Sequence, residues 1–297
     1  TCLRWGLEVN YHCEKLKSGL YLVATPLGSA RDITLRALDV LNSCDAIVAE
    51  DTRLMRKLLN IHNISINGRP LFSYNDFNGD RVRPKILSLL SSNKAVAYAS
   101  DAGMPLIADP GYQLSKQAAE RGFYVTSVPG ASACLTALSL SGLPTDRFFF
   151  EGFLPVSTEK RREKLKELAQ IPSTLIFYES PKRLRKVFND LVAIMGENRR
   201  AVIARELTKK FEQIISGTLG ELYAFTQKEN LKGELVVLLD RPLSTGLTDT
   251  DVKAELSVVL DKMSLKDASN LVAAAHSLSK RYVYSLALSI RDDSEER

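Results

Sequence analysis

The sequence predicts an α/β protein with two α/β domains and a small helical domain at its C-terminus. Short apolar runs of strand length alternate with helical patterns from Leu20 onward, and this alternation is typical of a largely parallel sheet. A second group of strand-like runs lies between residues 147 and 239. Its last two members lack long helical crossovers before them, which favours a mixed sheet. Three short amphipathic patterns after residue 248 indicate helices.

Each predicted strand is a short, β-rich run, and turn residues such as 25–28 mark where such runs end. The predicted strands are 20–24, 45–49, 95–99 and 124–128 in the first sheet, and 147–150, 174–178, 201–204, 212–215 and 234–239 in the second. Helices are predicted at about 33–41, at 53–59 with Thr52 as cap, and at 131–140. Asp109 is predicted to cap a helix that begins at Pro110. The tail helices are predicted at 249–262, 265–275 and 280–288. Ser264 and Ser279 are the predicted caps of the second and third of them.

These patterns set the expected domain boundaries. We expect a disordered leader at 1–18, an N-terminal α/β domain at 19–129, a C-terminal α/β domain at 130–242, and a helix-turn-helix-like appendage at 243–297. A packing or dimerisation role for that appendage is the alternative. No run approaches the ~18 apolar residues of a membrane helix. The leader does not read as a signal peptide, so no membrane association and a cytoplasmic location are expected.

Charge is distributed unevenly along the chain, although the net charge is only +5. Between residues 159 and 212, fourteen lysines or arginines stand against eight acidic residues. This excess favours a polyanionic partner such as nucleic acid, with solvated helix faces as the alternative. The four cysteines include no C-x-x-C pair and the three histidines are scattered, so no metal site is predicted.

Missing motifs exclude several common enzyme classes. The sequence has no Walker A loop, no G-x-G-x-x-G after the first strand, no G-x-S-x-G elbow and no H-E-x-x-H. Three loops that follow predicted strands remain, at 25–28, 50–53 and 100–103. Open parallel sheets bind ligands at the carboxyl ends of their strands, so these loops are the predicted ligand site.

Two segments beyond these strands have features of ligand contacts. Residues 100–111 read S-D-A-G-M-P-L-I-A-D-P-G, in which Gly103 allows close approach of the backbone and Asp101 stands at the strand end. Residues 128–133 read V-P-G-A-S-A and open a helix, whose free amides suit an anion. The alternative for 100–111 is a tight turn in which Asp101 caps local amides. The alternative for 128–133 is a simple turn before a core helix.

Eight blocks resemble, in order and spacing, the rRNA small-subunit methyltransferase I family. They lie at 19–28, 49–53, 100–111, 142–148, 151–155, 175–181, 204–209 and 232–235. The resemblance implies the tetrapyrrole methylase fold, with S-adenosylmethionine in a cleft between two α/β domains, and 2′-O-methylation of a cytidine in 16S rRNA. The sequence departs from the family at Met104, which usually is Thr, and at 75–78, where a segment containing His is common.

Carried over residue by residue, the resemblance assigns the cofactor to the ends of both predicted sheets. The expected cofactor-binding residues are Pro26, Leu27, Asp101, Ala102, Gly103, Leu106, Ile107, Ser132, Ala133, Tyr178, Leu207 and Gly233. Apolar walls with backbone polar partners suit an adenine, and backbone amides suit a carboxylate.

The catalytic and RNA-binding candidates remain alternatives at this stage. A ribose hydroxyl needs a base as it attacks, and the candidates are Asp51, Glu179 and Glu206, with Arg53 as a positioning group. Structural ion pairs are the alternative for Glu179 and Glu206. Arg161, Arg162, Lys164, Arg205 and Lys209 are the expected RNA contacts. The expected partners are 16S rRNA of the small ribosomal subunit and a second copy in a homodimer. A tetrapyrrole methylase of the precorrin type and a non-catalytic RNA-binding assembly factor are the rival functions.

Overall fold

The structure is a computed structural model that describes residues 11–242, 249–276 and 278–295, with side chains described as far as Ile290. The chain forms two compact units, Thr1–Arg241 and Pro242–Arg297, which are described one after the other. The larger unit contains two five-stranded sheets. We call the part of this unit that carries the first sheet the first lobe and the remainder the second lobe, and residue 130 is our proposed boundary between them.

The first lobe is a parallel sheet with helices on both faces. Its strands lie in the order β3-β2-β4-β1-β5, and every neighbouring pair is parallel. The strands are β1 (Gly19–Val23), β2 (Ala46–Ala49), β3 (Leu71–Ser73), β4 (Ala95–Ala99) and β5 (Val125–Val128). The helices are α1 (Leu35–Ser43), α2 (Thr52–Ile61), α3 (Gly79–Ser91) and α4 (Tyr112–Glu120), with a short 3₁₀ helix at Ala30–Asp32.

The central strand β4 shows why this sheet is buried on both sides. All five of its residues are buried, and successive side chains enter opposite cores. Ala95, Ala97 and Ala99 pack in the core beneath α1 and α2. Val96 and Tyr98 pack in the core beneath α3 and α4. Because the strands are parallel, their carboxyl ends meet at one edge, as the sequence predicts.

The second lobe is a mixed sheet, which confirms the prediction made from its short connections. Its strands lie in the order β6-β7-β10-β8-β9, and only the pair β6 and β7 is parallel. The strands are β6 (Phe148–Phe153), β7 (Thr174–Glu179), β8 (Arg200–Arg205), β9 (Gln213–Thr218) and β10 (Leu235–Leu239). The helices are α5 (Ala133–Ser141), α6 (Thr158–Ala169), α7 (Pro181–Met195) and α8 (Leu219–Lys228). One face of the sheet packs on α5 and the other on α6, α7 and α8.

The smaller unit is a bundle of three helices, as predicted. The helices are α9 (Asp249–Leu260), α10 (Leu265–Ala275) and α11 (Lys280–Glu295). Their apolar faces meet in a core that includes Val252, Leu256, Val272 and Val283. Ser264 caps α10 by accepting a hydrogen bond from the Asp267 amide, which confirms that prediction. Among the helices in the described ranges, none combines the length and apolar character that crossing a membrane requires.

Two predicted helix caps are wrong. The cap of α2 is Asp51, not Thr52, because its carboxylate accepts a hydrogen bond from the Arg53 amide. The residue before α4 is Gly111, with a left-handed φ of +115°. A Cβ at this glycine would lie 2.6 Å from the ring of Tyr98, so a residue with a side chain does not fit here. The helix begins only at Tyr112, and Asp109 lies in the loop before it.

Part of the predicted leader is packed against the first lobe. The Tyr11 hydroxyl donates to the Asn63 carbonyl at 3.0 Å, and the His12 amide donates to Asp39 at 2.6 Å. Tyr11 and Leu16 pack against the core beneath α1. The expected disorder therefore does not apply to residues 11–18. Residues 1–10, and residues 243–248 of the predicted linker, lie outside the described residues.

A buried ion pair joins α6 to α7 in the second lobe. The Arg161 guanidinium is 3% exposed and donates two hydrogen bonds to one oxygen of Asp190, which is 2% exposed. Arg162 donates to the other oxygen of Asp190 from the surface. The prediction that Arg161 binds RNA is therefore wrong, because its guanidinium is buried and used inside the protein.

We predict that Arg161→Met lowers the free energy of unfolding by about 3 kcal/mol, because it leaves a buried carboxylate without two of its donors. Arg162→Met is the matched control, since it removes the same charge from a side chain that is 51% exposed. Its cost is expected to be at most ~1 kcal/mol. Urea unfolding of both variants measures the difference. Equal losses in the two variants would contradict a structural role for the buried pair.

Candidate active site

A cleft of about 400 Å³ lies where the strand ends of the two lobes meet. The first lobe contributes the loops after β1, β2 and β4. The second lobe contributes the end of β7, the end of β8 and the start of β10, which share one sheet edge because β10 is antiparallel to both neighbours. The end of β6, at Phe153, and the start of α5 complete the lining. The cleft is thus built from loops and strand ends that are far apart in sequence.

The loop after β4 forms the floor of the cleft on the first lobe. Thr25 and Gly103 exchange two backbone hydrogen bonds, at 3.0 and 2.9 Å, which attach this loop to the end of β1. The Ser100 hydroxyl donates to the Gly103 carbonyl, and Gly103 itself has a left-handed φ of +77°. Leu106 and Ala108 also have positive φ, at 71° and 61°. Such conformations are strained for residues with a side chain and often occur at binding sites.

The cleft is lined by carboxylates, and no lysine, arginine or histidine is among its described lining residues. Burial raises the pKa of Asp109 to about 7, with a further contribution from the neighbouring Glu50. Burial also raises the pKa of Asp101 and of Glu50, and repulsion between them adds to the shift of Glu50. An acidic and largely apolar cleft of this kind favours a ligand that carries positive charge.

An aromatic cluster forms part of the second lobe's wall. The ring of Tyr178 contacts Phe150 and Phe153 edge to face, with ring centroids 4.9 and 5.6 Å apart. Burial raises the pKa of Tyr178 to about 12, so its hydroxyl stays protonated near neutral pH. Phe153 lines the cleft and is 55% exposed, which leaves an aromatic face available to a planar ring.

The first turn of α5 borders the cleft. Ser132 is the cap residue, its side chain accepts from the Leu135 amide, and both Ser132 and Ala133 line the cleft. The first amides of a helix have no partner within the helix and carry partial positive charge. Such a helix start, beside a lining whose described charged side chains are all acidic, suits a carboxylate.

Two short loops hold the lobes together beside the cleft. Thr208 accepts a hydrogen bond from the Ser29 amide at 3.1 Å, and a Cβ on Gly28 would lie 2.3 Å from the Lys209 side chain. Glu206 accepts hydrogen bonds from the Glu234 amide and from Lys209. These contacts place Leu207 in the cleft wall.

The structure brings together ten of the twelve expected cofactor-binding residues. The ten that line the cleft are Leu27, Asp101, Ala102, Gly103, Ile107, Ser132, Ala133, Tyr178, Leu207 and Gly233. Pro26 and Leu106 are not in its lining. Pro26 is buried immediately before Leu27, and Leu106 packs against the core beneath α3 and α4. These two residues support the wall from behind.

Two of the three expected base candidates are held in structural contacts. The hydrogen bond from the Arg53 side chain lowers the pKa of Asp51 to about 2, and Arg53 points outward with 89% of its side chain exposed. The Glu234 amide lowers the pKa of Glu206. Neither carboxylate lines the cleft, and a lowered pKa makes a carboxylate a weaker base, so the structure does not place Asp51, Glu206 or the outward-pointing Arg53 at the reaction site.

Glu179 does line the cleft; one of its oxygens accepts a hydrogen bond, and the other is buried, with an ion-pair partner but no hydrogen bond. Its Oε1 accepts from the Ser180 amide at 2.7 Å, and its Oε2 lies 3.3 Å from the Arg183 guanidinium. Its side chain is fully buried, which raises its pKa. Glu179 therefore lies at the site. Its contact with Arg183 also fits the alternative role, a structural ion pair.

The remaining RNA-binding candidates also have partners inside the protein. Arg162 is bound to Asp190, and Lys164 is paired with Glu167 at 2.7 Å. Arg205 donates to the Lys232 carbonyl, and Lys209 bridges two glutamates. Exposed cations of the same lobe with no partner among the described contacts include Lys160, Lys166, Lys182 and Lys186.

Several residues of the cleft were not predicted as site residues. They include Glu50, Met104, Asp109, Phe153, Glu234 and Val236. Glu50 lies in a block that the family resemblance already marked, so a signal was present for it. Asp109 also lies in such a block, at 100–111, but its place before Pro110 favours a helix cap, and that interpretation hid its place in the cleft wall.

Comparison with known proteins agrees with this geometry. Residues 19–223 match the family model of tetrapyrrole (corrin/porphyrin) methylases, and residues 247–291 match the RsmI C-terminal HTH domain. Cobalt precorrin-4 methyltransferase shares the fold with a TM-score of 0.58 at 18% identity, over 74% of this chain and 94% of that one. Uroporphyrin-III C-methyltransferase from Thermus thermophilus, solved with S-adenosyl homocysteine, gives a TM-score of 0.53 at 19% identity, over 74% and 96% of the two chains. These likenesses confirm the predicted fold.

Closer relatives define the family. Ribosomal RNA small subunit methyltransferase I of Escherichia coli O157:H7 is 42% identical over 272 residues, which cover 91% of this chain and 94% of the relative. The protein of the same name from Vibrio cholerae is 43% identical, over 91% and 94% of the two chains. On this evidence, the chain belongs to the ribosomal RNA small subunit methyltransferase I family.

Proposed function

We propose that this protein transfers the methyl group of S-adenosylmethionine to the ribose 2′-hydroxyl of a cytidine in 16S rRNA of the small ribosomal subunit. The observation that carries the proposal is the length of the match, because relatives named for rRNA methylation align over 91% of the chain. That match spans both lobes and the C-terminal helices. The homodimer implied by the family resemblance is part of the same proposal.

The cleft fits S-adenosylmethionine in size and chemistry. Its volume of about 400 Å³ is within the range of sites for ligands of this size. Leu27, Leu207 and Val236 offer apolar walls for an adenosine. The first amides of α5 suit the carboxylate of the methionyl part, and the carboxylates of Asp101 and Asp109 suit its cationic groups.

The bound cofactor supplies a methyl group that is already activated, because its positively charged sulfur leaves as a neutral thioether. The protein's contribution is then to align the ribose oxygen with that methyl carbon and to exclude water. Alignment of two reactants in one site can supply ~7–11 kcal/mol of the barrier. The strained loop after β4 and the contacts between residues 206–209 and the first lobe hold the walls in place for this purpose.

Asp109 is the group that best fits the general base. A ribose hydroxyl must lose its proton as it attacks, and a base is most effective when its pKa is near the working pH. The pKa of Asp109 is raised to about 7 by burial in the cleft lining. Glu179 fits less well, since its carboxylate is paired with Arg183 at 3.3 Å and accepts from the Ser180 amide, although its buried Oε2 accepts no hydrogen bond.

The exposed ring of Phe153 supports an RNA acceptor. A nucleotide that enters a cleft must leave its stack, and an aromatic face at the protein surface offers replacement stacking. Phe153 lines the cleft and is 55% exposed, so its ring is available for that contact.

We predict that affinity for S-adenosylmethionine rises about fivefold between pH 5.5 and pH 7.5. This value follows if the bound cofactor lowers the pKa of Asp109 by about one unit. The pKa of Asp109 is about 7, so its carboxyl is mostly neutral at pH 5.5. At pH 7.5 it is mostly ionised, and its negative charge attracts the cofactor's cationic groups. Calorimetric titration at the two pH values measures the effect. Asp109→Asn is the control, because it keeps the shape of the side chain but does not titrate. If the variant shows the same pH dependence as the wild type, the effect does not come from Asp109.

The proposed reaction is tested with small subunits from a strain that lacks the enzyme. Incubation with labelled cofactor, followed by digestion to nucleosides, should place the label in 2′-O-methylcytidine. Once the position is mapped, a substrate with 2′-deoxyribose at that nucleotide should bind with similar affinity, since phosphate contacts dominate binding, but accept no methyl group. Label on a base, or on the deoxy substrate, would refute the ribose as acceptor. Absence of any transfer to RNA would favour the rival functions.

A further inference from the structure

A shallow basic groove lies on the C-terminal helical unit. It is lined by Lys266, Ser269, Asn270, Lys280, Arg281 and Tyr284. The three cationic side chains belong to exposed residues, and Tyr284 is 43% exposed. Among the residues that the structure describes, no acidic one is part of this lining. The groove therefore combines positive charge with an accessible aromatic ring.

The packing of α10 against α11 creates this surface. Ala268 and Val272 of α10, with Val283 and Ala287 of α11, face the core of the unit. Residues offset from these positions face outward along the two helices. Lys266 and Asn270 are one turn apart on α10, while Lys280 and Tyr284 are one turn apart on α11. The groove thus lies between two outward rows of polar side chains.

Three acidic groups of this unit have partners that are not among the groove's lining residues. Asp249 accepts from the Tyr282 hydroxyl, and Glu255 pairs with His276 at 2.6 Å. Asp267 is bonded to Ser264 at the start of α10. In the described part of the chain, by contrast, the groove's three cations make no ion pair. Unpaired cations collected on one surface are what a polyanion requires.

We propose that this groove is a docking surface for the RNA substrate, in which Lys266, Lys280 and Arg281 bind backbone phosphates and Tyr284 stacks on an unpaired base. The inference rests on the proposed function, because it assumes an RNA substrate. RNA suits the groove better than a small anion does. The cations are spread over two helices rather than focused on one point, and cation rows beside an aromatic ring are typical of single-stranded nucleic acid binding.

A docking surface of this kind contributes to affinity and not to the methyl-transfer step. Loss of the groove should therefore raise KM for RNA and leave kcat unchanged. Affinity for S-adenosylmethionine should also be unchanged, since the groove residues and the cleft residues are separate sets.

The test compares two double variants of the full-length protein. Lys266→Gln with Arg281→Gln removes two positive charges from the groove. Lys253→Gln with Lys262→Gln removes two positive charges from the same helical unit outside the groove. Binding to protein-free 16S rRNA is measured without cofactor over a range of salt concentrations. The groove variant should lose at least tenfold in affinity relative to the control variant, and its salt slope should fall by about 0.7 per lost phosphate contact.

A second pair of variants tests the stacking role of Tyr284. Tyr284→Phe keeps an aromatic face, whereas Tyr284→Leu keeps apolar bulk without it. Stacking of a base on an aromatic ring is worth ~1–3 kcal/mol, so the Leu variant should bind RNA at least fivefold more weakly than the Phe variant. Equal affinities would overturn the stacking role.

The outcomes separate this inference from the proposed function. If the groove variant binds RNA like the control variant while the wild type methylates rRNA, the docking surface is refuted and the proposed function stands. If the groove variant binds protein-free RNA normally but loses affinity for assembled subunits, the partner of the groove is a protein, and the RNA proposal is likewise refuted. If the wild type binds neither protein-free rRNA nor assembled small subunits, both proposals are overturned.

Discussion

The active-site cleft depends on one set of contacts, made by the turn that follows β8. Residues 206–209 are bonded to the loop before β10 through Glu206 and to the loop after β1 through Thr208. Both Glu206 and Thr208 adopt left-handed conformations, with φ of 50° and 62°, which are held only because the surrounding contacts fix them. Since β1 belongs to the parallel sheet and β8 to the mixed sheet, this turn brings the strand ends of two separate sheets to one site. Packing of Leu27 and Ala102 against the second lobe's core beside α5 adds to this junction.

Electrostatics divides the chain's tasks between two places. The net charge is +5, yet the described lining of the cleft contains carboxylates and no cationic side chain. The groove on the helical unit has the opposite character. A methyl donor that carries positive charge and an RNA that carries negative charge are attracted to different surfaces of the same protein. An acidic cleft also repels phosphates, so a nucleotide would enter it through stacking and alignment while basic side chains elsewhere hold the backbone.

Sequence patterns predicted the fold well where the signals were local. The strand at Ala95–Ala99 and the helix at Leu265–Ala275 have the bounds expected from their apolar periodicity. The strand β3 and the helices α3, α6, α7 and α8 were not predicted. The three residues of β3 are only half-buried, and α3 contains Pro84, which obscures a helical pattern. The cofactor residues followed from motif blocks, whereas the roles of Asp109 and Arg161 depend on partners distant in sequence. Burial beside Glu50 determines the first, and an ion pair with Asp190 determines the second. Composition and spacing carry no information about such contacts.

The central claim is that one cofactor is held by both lobes at once, and hydrogen exchange tests it most directly. Addition of S-adenosylmethionine should slow amide exchange in residues 101–109 and 132–135 and, in the same experiment, in residues 204–207 and 233–236. Exchange in the groove helix α10 should not change, which provides an internal control. Protection confined to one sheet's loops, or its absence from both, would contradict the account of a shared cleft.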